Sequence, residues 1–211
     1  MRIFLAGASG VIGVGLVPLL VAGGHEVAGM TRSSAKAAAL RDLGAEPVVC
    51  DVFDSRALIR AVTAFGPELV MHQLTDLPDR ADRIARFAAR NNRIRTEGTA
   101  NLLAATARAR ATRFLAQSIA WTPRSGGEAV AEHERMVLGA GGVVIRYGTF
   151  YGPGTYSGSG RIPPPPRIHL DQAARRTVAL LDAPSGVVVV TEDQSRPGGN
   201  PGLPRAAVGR K

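Results

Sequence analysis

The sequence predicts an α/β fold in which a doubly wound parallel sheet carries helices on both faces. Two observations carry that prediction. Short apolar runs alternate with longer helix-like stretches as far as residue 147, the pattern of strands joined by crossover helices. The first strand also meets its helix through three glycines, Gly7, Gly10 and Gly13, at G-x-x-G-x-x-G spacing. Right-handed crossovers then wind the sheet to both sides.

The elements follow in order. Residues 2–6 form the first strand and 11–22 the first helix, which Gly23-Gly24 ends as glycine commonly does. Residues 25–30 are the second strand, 35–43 an alanine-rich helix closed by Gly44, and 47–50 the third strand. Asp54 and Ser55 can cap a helix running to about residue 64, and 68–72 is the fourth strand. Residues 76–110 read as helical with a break or bend at Asn91-Asn92, followed by a strand at 112–118, a helix at 128–138 and a strand at 143–147. The character changes after Gly152. Glycines and the run Pro163 to Pro166 give a loop or a short polyproline segment, before a helix at 171–181 and a strand at 187–190. From Ser195 the Pro/Gly-rich tail has no apolar period and is expected to be disordered. There is no internal repeat. The organisation read from this pattern is a dinucleotide-binding domain at 1–152, a reduced substrate lobe at 153–194 and a tail at 195–211.

Composition excludes several function classes. The single cysteine, Cys50, allows no intramolecular disulfide and points to a reducing, cytoplasmic compartment, with Cys50 itself read as a small core residue. The glycine turn interrupts the N-terminal apolar run, so no signal peptide is read, and no apolar run is long enough for a membrane span. A net charge of +9 invites a nucleic-acid partner. Its distribution argues against one: Arg80, Arg83, Arg86, Arg90 and Arg93 recur as one solvated helical stripe, with no aromatic residues interleaved for base stacking. No metal site is read.

The glycine turn carries the first chemistry. Gly7 permits a tight turn, Gly10 lets backbone approach a pyrophosphate, and Gly13 lets helix and strand pack closely; with Ser9, Val11 and Ile12 they form a dinucleotide-binding loop at a helix N-terminus. Arg32 stands just past the second strand, where the adenosine ribose would sit, and no Asp or Glu lies between Val27 and Arg41. An acidic residue there would accept from a ribose 2′-hydroxyl, whereas arginine pairs with a 2′-phosphate. Arg32, with Ser33 and Lys36 nearby, therefore favours NADP(H) over NAD(H). Asp51, next to Val52, could contact the adenine amino group or cap the helix that follows.

Four segments in order, Gly7-Ala8-Ser9-Gly10-Val11-Ile12-Gly13, Asp51-Val52, Thr96 to Ala105 and Arg146 to Gly154, resemble the extended short-chain dehydrogenase/reductase family, in its NAD-dependent epimerase/dehydratase branch. The resemblance covers about residues 1–154, with a weaker echo to 194. It implies a Rossmann fold, a nicotinamide cofactor and a sugar-nucleotide or small hydroxyl/ketone substrate. It also implies Tyr147 as a wall against the nicotinamide, and a homodimer packed through the helices at 80–110 and 128–138.

The chain departs from that family where proton transfer occurs. Ser118 matches the family's serine, which holds the substrate oxygen. The Tyr-x-x-x-Lys acid/base pair is not found: aligned on Glu134, its positions fall on Gly126 and Val130. The family's asparagine three residues before Gly-Thr is replaced by Arg95. His133, on the same helix, is a candidate proton donor by type, but its flanking Glu132 and Glu134 make an exposed histidine the simpler expectation. His72, ending the fourth strand, is a second candidate. The C-terminal part is shorter than the family's, moving almost directly from Gly152 to a segment at 168–174 that resembles the family's substrate-site stretch. The function expected is an NAD(P)-dependent oxidoreductase or epimerase/dehydratase-like enzyme with a non-standard active site. The alternatives are a non-catalytic NADP(H)-binding regulatory or redox-sensing protein, and a decayed paralogue.

Overall fold

The computed structural model describes residues 1–192 apart from Asp79, Arg124, Ser159 and Arg161, so the expected disordered tail lies outside the described residues. The chain runs β1 (Arg2–Ala6), α1 (Gly13–Ala22), β2 (Glu26–Thr31), α2 (Ala37–Asp42), β3 (Glu46–Val49), α3 (Ser55–Phe65), β4 (Leu69–His72), α4 (Ile84–Arg93), α5 (Thr99–Arg108), β5 (Arg113–Ile119), α6 (Gly127–Gly139), β6 (Val143–Tyr147), β7 (Thr149–Tyr151), β8 (Arg167–His169), α7 (Leu170–Val178) and β9 (Gly186–Val190). Seven strands form one parallel sheet in the order β3-β2-β1-β4-β5-β6-β9. The order reverses between β1 and β4, and such a switch point leaves a crevice at the carboxyl ends of the strands, where doubly wound sheets bind ligands.

Alternation along the strands makes two cores. Ile3 and Leu5 of β1 with Val143 and Ile145 of β6 face one side, against Leu16 and Leu20 of α1 and Ala173 of α7. Phe4, Ala6 and Val144 face the other, against Leu58 and Val62 of α3, Leu102 of α5 and Val137 of α6. A strand buried on both faces needs apolar residues at every position, which is why these strands read as continuous runs rather than alternating ones.

Four local expectations change. The helix expected from residue 76 begins after a short 3-10 turn at Ala81–Arg83, because Asp76 and its neighbours run as irregular chain along the crevice. Asn91 and Asn92 do not break it. The irregularity comes slightly later, as a π-helical turn at Ile94–Gly98 joining α4 to α5. Arg80 lies outside the helix, paired with Asp82, so it is not part of the arginine stripe. The segment expected to form a reduced lobe divides instead. α7 packs on α1 and β9 extends the main sheet, leaving the two-stranded β7–β8 ribbon as its separate part.

Candidate functional site

The crevice begins at the glycine turn. The N–H groups of Gly7 and Ala8 donate to the Met30 carbonyl at 3.3 and 3.2 Å, tying the turn to β2. Gly7 has φ +94°, and a Cβ there would stand 2.6 Å from the Gln73 carbonyl oxygen. A Cβ at Gly13 would lie 2.2 Å from the Gly7 carbonyl oxygen, so only glycine lets α1 start this close to the strand. No side chain caps α1, and within the described residues the N–H groups of Ser9, Val11, Ile12 and Gly13 donate no hydrogen bond. The helix dipole adds a positive potential at the same place. The Ser9 hydroxyl is already engaged, donating to Thr31 Oγ1 at 2.8 Å.

Arg32 sits at the end of β2 with its side chain about half exposed, 3.3 Å from the Asp76 carboxylate. Arg90 grips the same carboxylate at 3.0 Å, and the Asp76 N–H donates to Asn91 Oδ1. Since β1 lies between β2 and β4 in the sheet, this cluster spans the crevice from the end of β2 to the chain after β4. Asp51 is exposed, and its carboxylate accepts the Phe53 N–H. The cap of α3 is Asp54, whose Oδ1 accepts from Ala57 N–H at 2.9 Å, so capping is not the role of Asp51. Val52 is buried against Gly98.

Farther along, β4, β5 and α6 meet. The Ser118 hydroxyl donates to Glu134 at 2.5 Å, and Glu134 forms a two-pronged ion pair with Arg146 of β6. Burial raises the Glu134 pKa, but the Arg146 guanidinium and the Ser118 hydroxyl outweigh it and hold the carboxyl below its usual value. Ser118 therefore helps to lock α6 onto β5 and β6, with its proton committed to Glu134.

The two histidines form one buried chain. His72 Nδ1 accepts from Leu74 N–H at 3.3 Å, and its Nε2 faces Thr99 Oγ1 at 3.0 Å. Thr99 Oγ1 lies 2.7 Å from His133 Nδ1, and His133 Nε2 is 2.9 Å from the Gln117 carbonyl oxygen. A carbonyl only accepts and a backbone N–H only donates, so the pattern assigns the protons. His72 donates from Nε2 to Thr99, Thr99 donates to His133 Nδ1, and His133 donates to Gln117. Both rings are neutral. Burial lowers the pKa of each, and the proximity of the other ring lowers that of His72 further. The expected exposed His133 is thus overturned: it is 2% exposed, because α6 turns that face onto β5 despite the flanking glutamates. Neither ring has a proton to spare for the crevice.

Tyr147 is also enclosed rather than presented as a wall. It is 2% exposed and bonded to Thr177 Oγ1 at 2.5 Å, and burial pushes its hydroxyl pKa well up. At the acid/base positions, Val130 is buried, and Gly126 has φ +74° with the Asn92 carboxamide 2.6 Å from where a Cβ would be. Among the described residues no group of three His, Cys, Asp or Glu could hold a metal ion, and no helix is long and apolar enough to cross a membrane. Cys50 is buried, which raises its thiol pKa and leaves it a core residue.

Sequence reasoning missed Thr99, Asp76, Asn92 and Gln73. The Gln73 backbone carbonyl lies against the glycine turn, while its carboxamide is buried with both its oxygen and nitrogen unpartnered; it approaches the Tyr147 hydroxyl without meeting hydrogen-bond geometry. Polar residues at inward positions of an otherwise amphipathic helix, such as Asn91 and Thr99, were the available signal. Their partners lie 15 to 34 residues away.

A sheet in this strand order with a glycine turn at its switch point defines a dinucleotide-binding α/β protein. The sequence model described as the NAD dependent epimerase/dehydratase family matches residues 3–118, and the chain belongs to that family. It is 36% identical to the 3-diazoavenalumate denitrifying reductase of a Streptomyces species, over 93% of this chain and 78% of that protein. That alignment runs to 240 positions, more than the chain's 211 residues, so the relative has segments this chain lacks. The fold matches UDP-glucose 4-epimerases from Thermotoga maritima with UDP-glucose (TM-score 0.76, 18% identity, 90% of this chain, 77% of that chain) and from Thermus thermophilus with NAD (TM-score 0.76, 19% identity, 90% and 78%).

The residues present fit a dinucleotide. The turn combines unspent N–H groups with the close backbone approach that only glycine allows. The oxygens of a pyrophosphate would accept from these N–H groups.

Proposed function

We propose that the chain is an NADP(H)-dependent reductase whose hydride acceptor needs no proton from the protein, with diazo-bearing aryl compounds as the substrate class. The observation that carries this reading is the substrate end of the crevice. Gly126 and Val130 align with the acid/base positions, the Ser118 hydroxyl donates its hydrogen bond to the Glu134 carboxylate, and both histidines are neutral and fully engaged. Reduction of a ketone requires a donor within hydrogen-bond reach of the nascent alkoxide. An arenediazonium requires none. Hydride adds, the C–N bond breaks, and Ar–N₂⁺ with H⁻ becomes Ar–H and N₂, balanced in atoms and charge. The Streptomyces relative is named as a denitrifying reductase of a diazo compound, which supports the same reaction class here.

The cofactor, when bound, supplies the hydride. The chain's part is to bind and orient. The N–H groups of Ser9, Val11, Ile12 and Gly13 would take the pyrophosphate. Arg32 would take the 2′-phosphate, with the Asp76 carboxylate fixing its guanidinium. Asp51, exposed beside the end of β3, would be free to meet the adenine. Tyr147 and Val52 would support the pocket from within.

The test is NADPH oxidation with 4-carboxybenzenediazonium, corrected for the uncatalysed reaction and matched to N₂ released, beside a panel of ketones and UDP-glucose. Turnover confined to the diazonium, and changed by no more than about twofold in Ser118→Ala, is the expected result. Ser118-dependent reduction of ketones would overturn it. NADPH binding without turnover of any substrate would favour the non-catalytic, regulatory reading, which the same missing acid/base pair also supports.

A further inference from the structure

Arg95 is a half-buried cation for which the reductase reading has found no use. It lies in the π-helical turn Ile94–Gly98, a distortion that often marks functional positions because it redirects side chains from the regular helical faces. Its hydrogen bond among the described residues is a long one, Nη1 to Asn92 Oδ1 at 3.4 Å, and no carboxylate there lies within ion-pair range of it. Nearby charges are paired: Arg32 and Arg90 with Asp76, Arg93 with Glu97, Arg146 with Glu134.

Asn92 locates this charge. Its Oδ1 touches Arg95 on one side and lies 2.6 Å from the Cβ position of Gly126 on the other. Gly126 is where the family's acid/base tyrosine would begin. Asn92 thus links the Arg95 guanidinium to the position where that tyrosine would begin. A desolvated arginine is costly unless an anion accompanies it, and its planar fork matches a carboxylate. Burial lowers its pKa, consistent with a charge awaiting a partner.

We infer that Arg95, oriented by Asn92, is the substrate-anchoring cation of this site and takes a carboxylate on the substrate, so that the compound reduced is an aryl carboxylate. The inference rests on the reading of the crevice as a reductase site. Carboxylate recognition is nonetheless measurable without turnover.

Calorimetric titration of the NADP⁺-loaded protein compares cinnamate with its uncharged amide, cinnamamide, in wild type, Arg95→Gln and Arg95→Lys. Wild type should bind cinnamate roughly 10- to 100-fold more tightly than the amide, the range expected for a charged hydrogen-bonded pair. Arg95→Gln should bind the two alike, and Arg95→Lys should keep part of the preference. Equal binding by wild type, or a preference that survives in Arg95→Gln, overturns the inference. If Arg95→Gln does not fold, wild type and Arg95→Lys decide: an unaltered preference in the lysine variant counts against a fork-matched site. A carboxylate preference without reduction of 4-carboxybenzenediazonium upholds the anion site and removes the reductase reading.

Discussion

The two ends of the crevice are built on opposite principles. At the phosphate end the working groups are backbone N–H donors, and the side chains matter mainly by being absent: Gly7 and Gly13 are there because a Cβ would collide with the Gln73 and Gly7 carbonyls. At the substrate end the backbone is ordinary and everything depends on side-chain pairs drawn from distant segments, Ser118–Glu134–Arg146 and His72–Thr99–His133. The first end is set by local backbone stereochemistry. At the second, the hydroxyl, imidazole and carboxylate groups are bound to one another.

That contrast predicts different failures. The largest effect is expected from Gly13→Val. Its side chain cannot coexist with the Gly7 and Ala8 carbonyls, so dinucleotide binding by fluorescence titration should fall by at least about 100-fold, with stability reduced by about 3 kcal/mol or more. Retained binding would mean that the turn is not the phosphate site.

Thr99→Val removes one hydroxyl, yet strands His72 Nε2 and His133 Nδ1 together. Unfolding should become easier by about 2–3 kcal/mol in a urea titration, with dinucleotide affinity little changed. If affinity falls while stability holds, the two ends are coupled and the contrast fails.

The histidines also set a pH dependence. Their folded pKa values are depressed, so below about pH 6.5 the unfolded chain binds more protons than the native one. The stability they contribute is complete above that pH and is lost as pH falls towards the folded values. Glu134 acts in the same direction at lower pH: its stabilisation is present above the usual glutamate range and is lost as pH falls through its depressed folded pKa. Replacing Arg146 with Met should cost about 1–2 kcal/mol, discounted because Arg146 is 41% exposed, and should flatten this acid limb. An unchanged acid limb in thermal melts would show that Arg146 does not set the Glu134 pKa.

The smallest change is Arg32→Gln. NADPH affinity should drop by roughly tenfold while NADH affinity stays within about twofold, by calorimetry. An equal loss for both would make Arg32 a structural partner of Asp76 rather than a reader of the 2′-phosphate.

The central strands β1, β4 and β6 were legible because they are buried on both faces, and that burial forces an apolar run. The glycine turn was legible for a related reason: its constraints are steric and act within a few residues. The substrate end was legible only as a set of vacancies, Gly126 and Val130, because its pairings join residues 12 to 34 positions apart. His133 shows the limit most clearly. Between Glu132 and Glu134 it reads as exposed, yet Glu134 is itself drawn inward by Arg146, and the helix face that the charges seemed to send to water is packed on β5.

By itself the sequence determined the sheet and the glycine turn, since each follows from local stereochemistry or residue type. Only the tertiary structure decided where the charges and protons reside: Ser118 bound to Glu134, two neutral histidines joined through Thr99, and Arg95 left without a carboxylate partner among the described residues. Hydrogen bonds and ion pairs are short-ranged in space but indifferent to separation along the chain, so their partners exist only once the strands and helices have brought them together.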